Sequence, residues 1–249
     1  MTLRAAVFDY GHTFLDFAPA EDRLLEAYAE IRAILVAEAE SELPDAAGLI
    51  ERLSGHVWRA VEESYRRREL DELDIIAVLD EGLHDLGLDL SRELVRQLAE
   101  MEHRAMAARL TVPRENLAVL GQLHDMGLKV GLVSNAHFLP ELMREDIERL
   151  GIAEHVDRAV FSSEIGIRKP HPSIFLHVLN GLGVEPSEAF FVGDRLRDDI
   201  EGAKSLGMRG VLTHQYRREE LGSYPAEPDL VINALPDIVP WAKSVLADE

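Results

Sequence analysis

Three short apolar runs, each leading directly into polar residues, constrain the fold of this chain more than any other feature of its sequence. The runs cover residues 5–8, 128–133 and 189–193. Each run is short enough for a buried strand, and helical patterns lie between them, which predicts a parallel sheet of the α/β class. Asp9, Ser134 and Asp194 follow the three runs. Because ligands of parallel sheets collect at the carboxyl ends of the strands, we expect a site where these side chains lie.

Between the first and second runs the pattern changes from buried strands to amphipathic helices. From residue 16 to residue 112, apolar residues recur at helical spacing in four stretches, and Ser91 stands where an N-cap of the fourth is expected. The sequence therefore predicts a core of residues 1–15 and 113–249, with an all-helical insert of residues 16–112 after the first strand.

A lysine and an acidic pair complete a set of polar residues at strand and helix ends. Lys169 comes just ahead of a helix start at Pro172, where proline suits the first turn and the free backbone N–H groups favour an anion. Asp198 and Asp199 begin the helical pattern that follows the third apolar run. The order along the chain is thus an aspartate, a serine, a lysine and an acidic pair.

This order resembles the four motifs of the haloacid dehalogenase superfamily of hydrolases. The resemblance extends from residue 7 to about residue 211, and the stretches 168–175 and 192–208 match the third and fourth motifs most specifically. It implies a Rossmann-like core, and it makes the helical insert similar to the caps that this superfamily carries between its first and second motifs. Such a cap shields reacting phosphates from water and selects the substrate.

The resemblance also implies catalytic and substrate-binding roles. Asp9 is expected to attack phosphorus and form an aspartyl-phosphate, and Lys169 to balance the charge of nucleophile and phosphate. Ser134 is expected to hydrogen-bond a phosphoryl oxygen, with Asn135 beside it in the substrate site. The expected activity is the hydrolysis of a small phosphorylated metabolite.

A magnesium site follows from the same resemblance. Asp9, Asp194 and the backbone carbonyl of Gly11 are the expected ligands of Mg²⁺, which prefers such oxygen donors. One member of the acidic pair is expected to support the metal or Lys169. The motif alignment favours Asp199 over Asp198, which has the alternative role of a helix N-terminal acid.

The first motif departs from the pattern of the phosphatases in this superfamily. Those enzymes read Asp-x-Asp-Gly-Thr, and their second aspartate is the general acid/base, whereas Gly11 stands at that position here. Loss of a positioned acid/base typically lowers a rate by about 10² to 10⁴. His12 is a candidate replacement, because its ordinary pKa suits proton transfer near neutrality.

Three functions therefore stay open at this stage. The first is a Mg²⁺-dependent phosphatase, and the second is a protein that binds a phosphorylated ligand or partner with little turnover. The third is another branch of the superfamily. Phosphonatases use a cap lysine, but no lysine precedes Lys129, and dehalogenases carry a tyrosine where Gly11 stands and use no metal.

Composition narrows the partners and the compartment. The net charge of −20 disfavours a nucleic-acid backbone or an anionic membrane as a partner, and the absence of cysteine excludes disulfides and thiolate sites. No apolar run approaches the roughly 20 residues that span a bilayer, and the N-terminus shows no signal pattern. We expect a cytoplasmic protein; the sequence carries no signal for an oligomeric state.

Overall fold

The protein is described by a computed structural model that covers residues 2–39, 42–222 and 224–247. The chain divides into two compact units. The α/β unit comprises Met1–Phe17, Thr111–Ala136 and Arg144–Glu249, and the helical unit comprises Ala18–Leu110 and His137–Met143.

The α/β unit is built on a parallel sheet, as the apolar runs predict. Within the described ranges the sheet has six strands: β1 (Ala5–Phe8), β2 (Lys129–Ser134), β3 (Arg158–Phe161), β4 (Ala189–Gly193), β5 (Arg209–Thr213) and β6 (Leu230–Ile232). Their order is β3-β2-β1-β4-β5-β6, and every neighbouring pair is parallel. Strands β1 and β4 are buried along their whole length, which explains why they read as continuous apolar runs.

The strand order brings the polar ends of three strands to the middle of one sheet edge. Strand β1 lies between β2 and β4, and Phe8 pairs with Leu132 on one side and with Val192 on the other. Asp9 therefore emerges between the ends of β2 and β4. The chain reverses its direction across the sheet at β1, and such a switch point is where open α/β sheets bind ligands.

The helical unit packs around one apolar cluster. Its helices are α1 (Glu21–Val36), α2 (Ala46–Leu49), α3 (Gly55–Arg66), α4 (Ile75–His84) and α5 (Arg92–Ala107), with a π-helical segment, Ile50–Ser54, between α2 and α3. Ser91 caps α5, as predicted, because its Oγ accepts a hydrogen bond from the Leu94 N–H at 3.3 Å. Inside the cluster, the Tyr28 hydroxyl donates to buried Glu102 at 2.8 Å.

The helical unit is two residues shorter at each end than the predicted insert of residues 16–112, and it gains one further segment. Residues 137–143, which the sequence analysis assigns to the core, group with the helical unit. The reason is that Leu139 and Leu142 are buried in the apolar cluster of the helices. Residues 137–143 follow β2 closely in sequence, but their apolar side chains pack in the helical unit.

The remaining helices follow the strands of the sheet. They are α6 (Arg114–Asp125), α7 (Pro140–Arg149), α8 (Ser162–Ile165), α9 (Pro172–Leu182), α10 (Gly202–Ser205) and α11 (Ile238–Ala247), and a π-helical segment, Leu196–Glu201, leads into α10. Helix α9 begins at Pro172, as the sequence predicts. None of the helices in the described ranges has both the length and the apolar character that crossing a membrane requires.

Candidate active site

The Lys169 ammonium joins two carboxylates at the carboxyl edge of the sheet. Its Nζ donates to Asp9 Oδ1 at 2.5 Å, to Asp199 Oδ1 at 2.7 Å and to the carbonyl oxygen of Val133 at 3.2 Å. The lysine is only 3% exposed. One buried charged group is therefore formed by Asp9, Lys169 and Asp199, although Lys169 lies 160 residues after Asp9 in the chain.

The backbone of Lys169 is held in place by Asn135. The lysine N–H donates to Asn135 Oδ1 at 2.7 Å, and Asn135 Nδ2 donates to the lysine carbonyl at 3.1 Å. The amide side chain thus fixes the turn that carries the lysine, a positioning role that the sequence analysis does not foresee. Substrate binding by Asn135 stays a prediction. Ser134 lies at the end of β2 and is 4% exposed.

Three buried carboxylates lie close enough to share a cation. Asp9, Asp194 and Asp199 each have an oxygen within 4.8 Å of the others. Asp194 Oδ2 is buried and accepts no hydrogen bond, although Arg217 Nη1 lies 3.1 Å from it in an ion pair. An unsatisfied carboxylate oxygen among other carboxylates fits a hard cation such as Mg²⁺.

Burial and mutual repulsion shift the pKa values of this cluster. Burial, followed by the charges of Asp9 and Asp199, raises the pKa of Asp194 to about 8, although Arg217 opposes the rise. Burial also raises the pKa of Asp9, against the lowering effect of Lys169. For Lys169 burial lowers the pKa, but Asp199 and Asp9 outweigh it and the pKa lies above its usual value. The cluster therefore has more negative charge than its lysine can balance.

The two members of the acidic pair occupy different surroundings. Besides its bond to Lys169, Asp199 accepts a hydrogen bond from the Arg195 N–H at 2.9 Å, and it packs against Gly193, where a Cβ would lie 2.3 Å from its carboxyl. Asp198 is buried with Arg197 Nη1 at 3.7 Å, and burial together with Asp199 raises its pKa to about 6. Only Asp199 contacts the lysine, so the geometry supports the motif alignment.

The turn after Asp9 places His12 in a conformation that is rare for a residue with a side chain. His12 has a φ of 56°, in the left-handed region that favours glycine. Its Nδ1 pairs with Asp16 Oδ1 at 2.9 Å. Burial lowers the pKa of His12, the charge of Arg217 lowers it further, and Asp16 raises it in part. The paired Nδ1 leaves Nε2 as the nitrogen that could exchange a proton.

Two residues near the site have no counterpart among the predicted ones. Asn116 is fully buried in α6, and its Nδ2 donates to the Phe14 carbonyl in the first-motif turn at 2.7 Å. Arg217 reaches Asp194 from the loop after β5. A polar residue at an apolar helix position hints at a role for Asn116, but nothing in the local pattern of the loop marks Arg217.

Comparisons with known proteins agree on one family. The family model for haloacid dehalogenase-like hydrolases matches residues 3–207. Glyceraldehyde 3-phosphate phosphatase of Methanopyrus kandleri is 33% identical over 220 residues, which cover 88% of this chain and 87% of the relative. Phosphoglycolate phosphatase of Salmonella typhimurium is 29% identical over 246 residues, covering 96% of this chain and 92% of the relative.

Solved structures share the fold across nearly the whole chain. The 2-haloacid dehalogenase of Pseudomonas syringae superposes with a TM-score of 0.74 at 24% identity, and the match covers 98% of this chain and 99% of that structure. At this identity the likeness supports the fold and carries no information on the reaction.

Proposed function

The chain belongs to the haloacid dehalogenase-like hydrolases, and from this membership we propose that it is a Mg²⁺-dependent phosphatase acting on a small phosphate ester. The observation that carries the proposal is the buried group of Asp9, Lys169 and Asp199, with Asp194 beside it. The phosphatases named among its relatives support the same reaction class.

In the proposed mechanism Asp9 is the nucleophile. Its carboxylate oxygen attacks phosphorus, the ester P–O bond breaks, and an aspartyl-phosphate forms that water then hydrolyses. Lys169 favours the ionised form of Asp9 and orients its carboxylate, since the ammonium lies 2.5 Å from Oδ1. Ser134 is proposed to donate a hydrogen bond to a phosphoryl oxygen, and Asn135 holds the lysine in reach of both.

The residues at the site fit the metal that this chemistry uses. Asp9, Asp194 and the Gly11 carbonyl would hold Mg²⁺, and Asp199 supports the arrangement through Lys169. A bound Mg²⁺ neutralises charge on the phosphoryl group as it transfers. The excess negative charge of the cluster, including the unsatisfied Asp194 Oδ2, supports this assignment.

The proton for the leaving group is the step for which the usual residue is absent. Gly11 has no side chain to donate it. His12 is a proposed substitute, with Asp16 holding Nδ1 so that Nε2 is the exchanging atom. If His12 is the donor, His12→Gln should change the pH–rate profile; an unchanged profile would remove it from the mechanism.

The proposal is tested by Mg²⁺-dependent hydrolysis of a panel of phosphate esters. We expect Asp9→Asn to remove activity and Asp194→Asn to abolish Mg²⁺ binding in calorimetry, while exposed Asp71→Asn leaves both unchanged. Acid quenching of the parent with labelled substrate should trap phosphate on Asp9. Activity that survives in Asp9→Asn would contradict the proposal.

A second function is favoured by the glycine at position 11. A protein that binds a phosphorylated ligand with little turnover needs the cation cluster but no proton donor. That function would be supported if phosphate bound in the presence of Mg²⁺, in an Asp194-dependent manner, while every ester in the panel stayed intact.

A further inference from the structure

The ring of Phe17 lies in the space that a side chain at position 11 would need. A Cβ built on Gly11 would come within 2.6 Å of Phe17 Cε2 and 2.8 Å of Cζ. Position 11 is two residues beyond Asp9, and two residues span at most about 7 Å. The ring therefore lies beside the turn that follows Asp9, at the position where the phosphatases of this superfamily carry their acid.

Contacts within the turn hold Phe17 in this place. Asp16 Oδ1 accepts a hydrogen bond from the Phe17 N–H at 2.9 Å and also pairs with His12 Nδ1. The His12 and Phe17 rings meet edge to face, with centroids 5.1 Å apart. Gly11 bridges to Leu15, which folds the segment back on itself. Phe17 is nonetheless 48% exposed, so much of its ring is open to a ligand.

This placement has a consequence for the leaving group. A hydrocarbon ring cannot donate a proton. An alkoxide leaving group, which needs one, is therefore not protonated from the position that Phe17 occupies. A phenolate is weakly basic and departs without a proton, and its ring can stack on or meet the edge of Phe17. Resting on the proposed phosphatase function, we propose that Phe17 selects phosphate esters whose leaving group is aromatic and weakly basic.

Four substrates separate the two properties of the leaving group. The leaving group of 4-nitrophenyl phosphate is aromatic and weakly basic, and that of 2-phenylethyl phosphate is aromatic and strongly basic. The leaving group of acetyl phosphate is small and weakly basic, and that of ethyl phosphate is small and strongly basic. We expect kcat/KM to fall at least about 100-fold from each substrate with a weakly basic leaving group to its partner with a strongly basic one, because Gly11 replaces the carboxyl that would protonate the latter.

Two substitutions then act on different pairs of substrates. Phe17→Ala should lower kcat/KM about 3- to 10-fold for both aromatic substrates and leave both small ones unchanged. Gly11→Asp should raise turnover of the two strongly basic substrates at least tenfold, because it restores a proton donor. Val36→Ala removes an apolar side chain of similar exposure, 51%, from the end of α1 and serves as the matched control.

The double variant tests whether the two side chains compete for one space. In the Gly11→Asp background the ring has already been displaced, so adding Phe17→Ala should change the aromatic substrates by less than twofold. A full 3- to 10-fold effect on the aromatic substrates in both backgrounds would support selection by Phe17 and would show that the two side chains do not compete for one space. Equal losses on small and aromatic substrates would show that Phe17 does not contact the leaving group, and this result overturns the proposal.

Binding of unreactive analogues separates this proposal from the phosphatase function. With Mg²⁺ present, Phe17→Ala should weaken phenylphosphonate about 3- to 10-fold and leave methylphosphonate unchanged. If no ester is hydrolysed but this difference is found, the phosphatase function fails and the aromatic site stands. If Asp9-dependent hydrolysis is found without the difference, the Phe17 proposal alone fails.

Discussion

Substitution of Asp194 should make the metal-free protein more stable while removing its metal site. The carboxyl is 2% exposed, and burial, followed by the charges of Asp9 and Asp199, raises its pKa from 3.8 to about 8. A carboxyl with a higher pKa in the folded than in the unfolded state binds more protons when folded. Its contribution to stability is therefore lost as the pH rises from 3.8 towards 8.

The size of the effect follows from this pH window. Each pH unit within it lowers the free energy of unfolding by up to about 1.4 kcal/mol, so the penalty at pH 7 is at most about 4 kcal/mol. The ion pair with Arg217 and relaxation of the site offset part of the penalty. We expect Asp194→Asn to raise the free energy of unfolding by about 2 kcal/mol at pH 7, which is about 4 to 8 °C in Tm for a chain of this size.

Thermal unfolding in a chelator at pH 5 and pH 7.5 measures the effect. The advantage of Asp194→Asn over the parent should grow with pH, and added Mg²⁺ should stabilise the parent alone, by mass action. Exposed Asp71→Asn should shift Tm at neither pH. An Asp194→Asn protein that is less stable than the parent at pH 7.5, or an advantage that shrinks with pH, would refute the reasoning.

Three further substitutions test the contacts around the cluster. Lys169→Met leaves two buried carboxylates without their cation and should lower the free energy of unfolding in urea by about 3 to 5 kcal/mol at pH 7. The loss should be smaller at pH 5, because burial raises the pKa of Asp9 and makes it easier to protonate. Gly193→Ala places a Cβ against the Asp199 carboxyl and should lower the free energy of unfolding by about 1 to 3 kcal/mol. Gly121→Ala places a Cβ with no atom within 4 Å and should change the free energy of unfolding by less than about 1 kcal/mol. Asn116→Ala removes the hydrogen bond to the buried Phe14 carbonyl in the first-motif turn, and it should lower the free energy of unfolding by about 1 to 3 kcal/mol, with a parallel loss of kcat.

Each of these expectations can fail in a recognisable way. A Lys169→Met protein with equal losses at pH 5 and pH 7 would mean that protonation of Asp9 does not relieve the loss of its cation. Equal stability of the two alanine variants at glycine positions would mean that Asp199 can move away from Gly193 without loss. A normal kcat in a destabilised Asn116→Ala protein would mean that the turn keeps its shape without this bond.

The sheet and its active edge could be predicted from local sequence. Apolar runs that end at Asp9, Ser134 and Asp194 are dictated by burial on both faces of a parallel sheet, and the observed strands carry these residues at one edge. The start of α9 at Pro172 and the cap at Ser91 are also local properties, set by the missing N–H of proline and by a side chain that accepts a backbone hydrogen bond.

Only the tertiary structure determines which contacts each polar residue of the site makes. Asn135 and Ser134 are neighbours in sequence, yet the Asn135 amide is bound to the Lys169 backbone. The motif alignment favours Asp199 over Asp198, but only the structure shows that Asp199 packs against Gly193 and accepts a hydrogen bond from Lys169. Residues 137–143 follow a core strand but join the helical unit, because their leucines are buried there.

The surroundings of Gly11 likewise depend on the tertiary structure and not on the local sequence. The sequence alone establishes that Gly11 cannot donate a proton, because this depends only on the absence of a side chain. What fills the space depends on how the next six residues fold back, through the Gly11 and Leu15 bridge and the two contacts of Asp16. The position of the Phe17 ring follows from these contacts between residues that are not adjacent, and no periodic pattern of apolar and polar residues encodes such contacts.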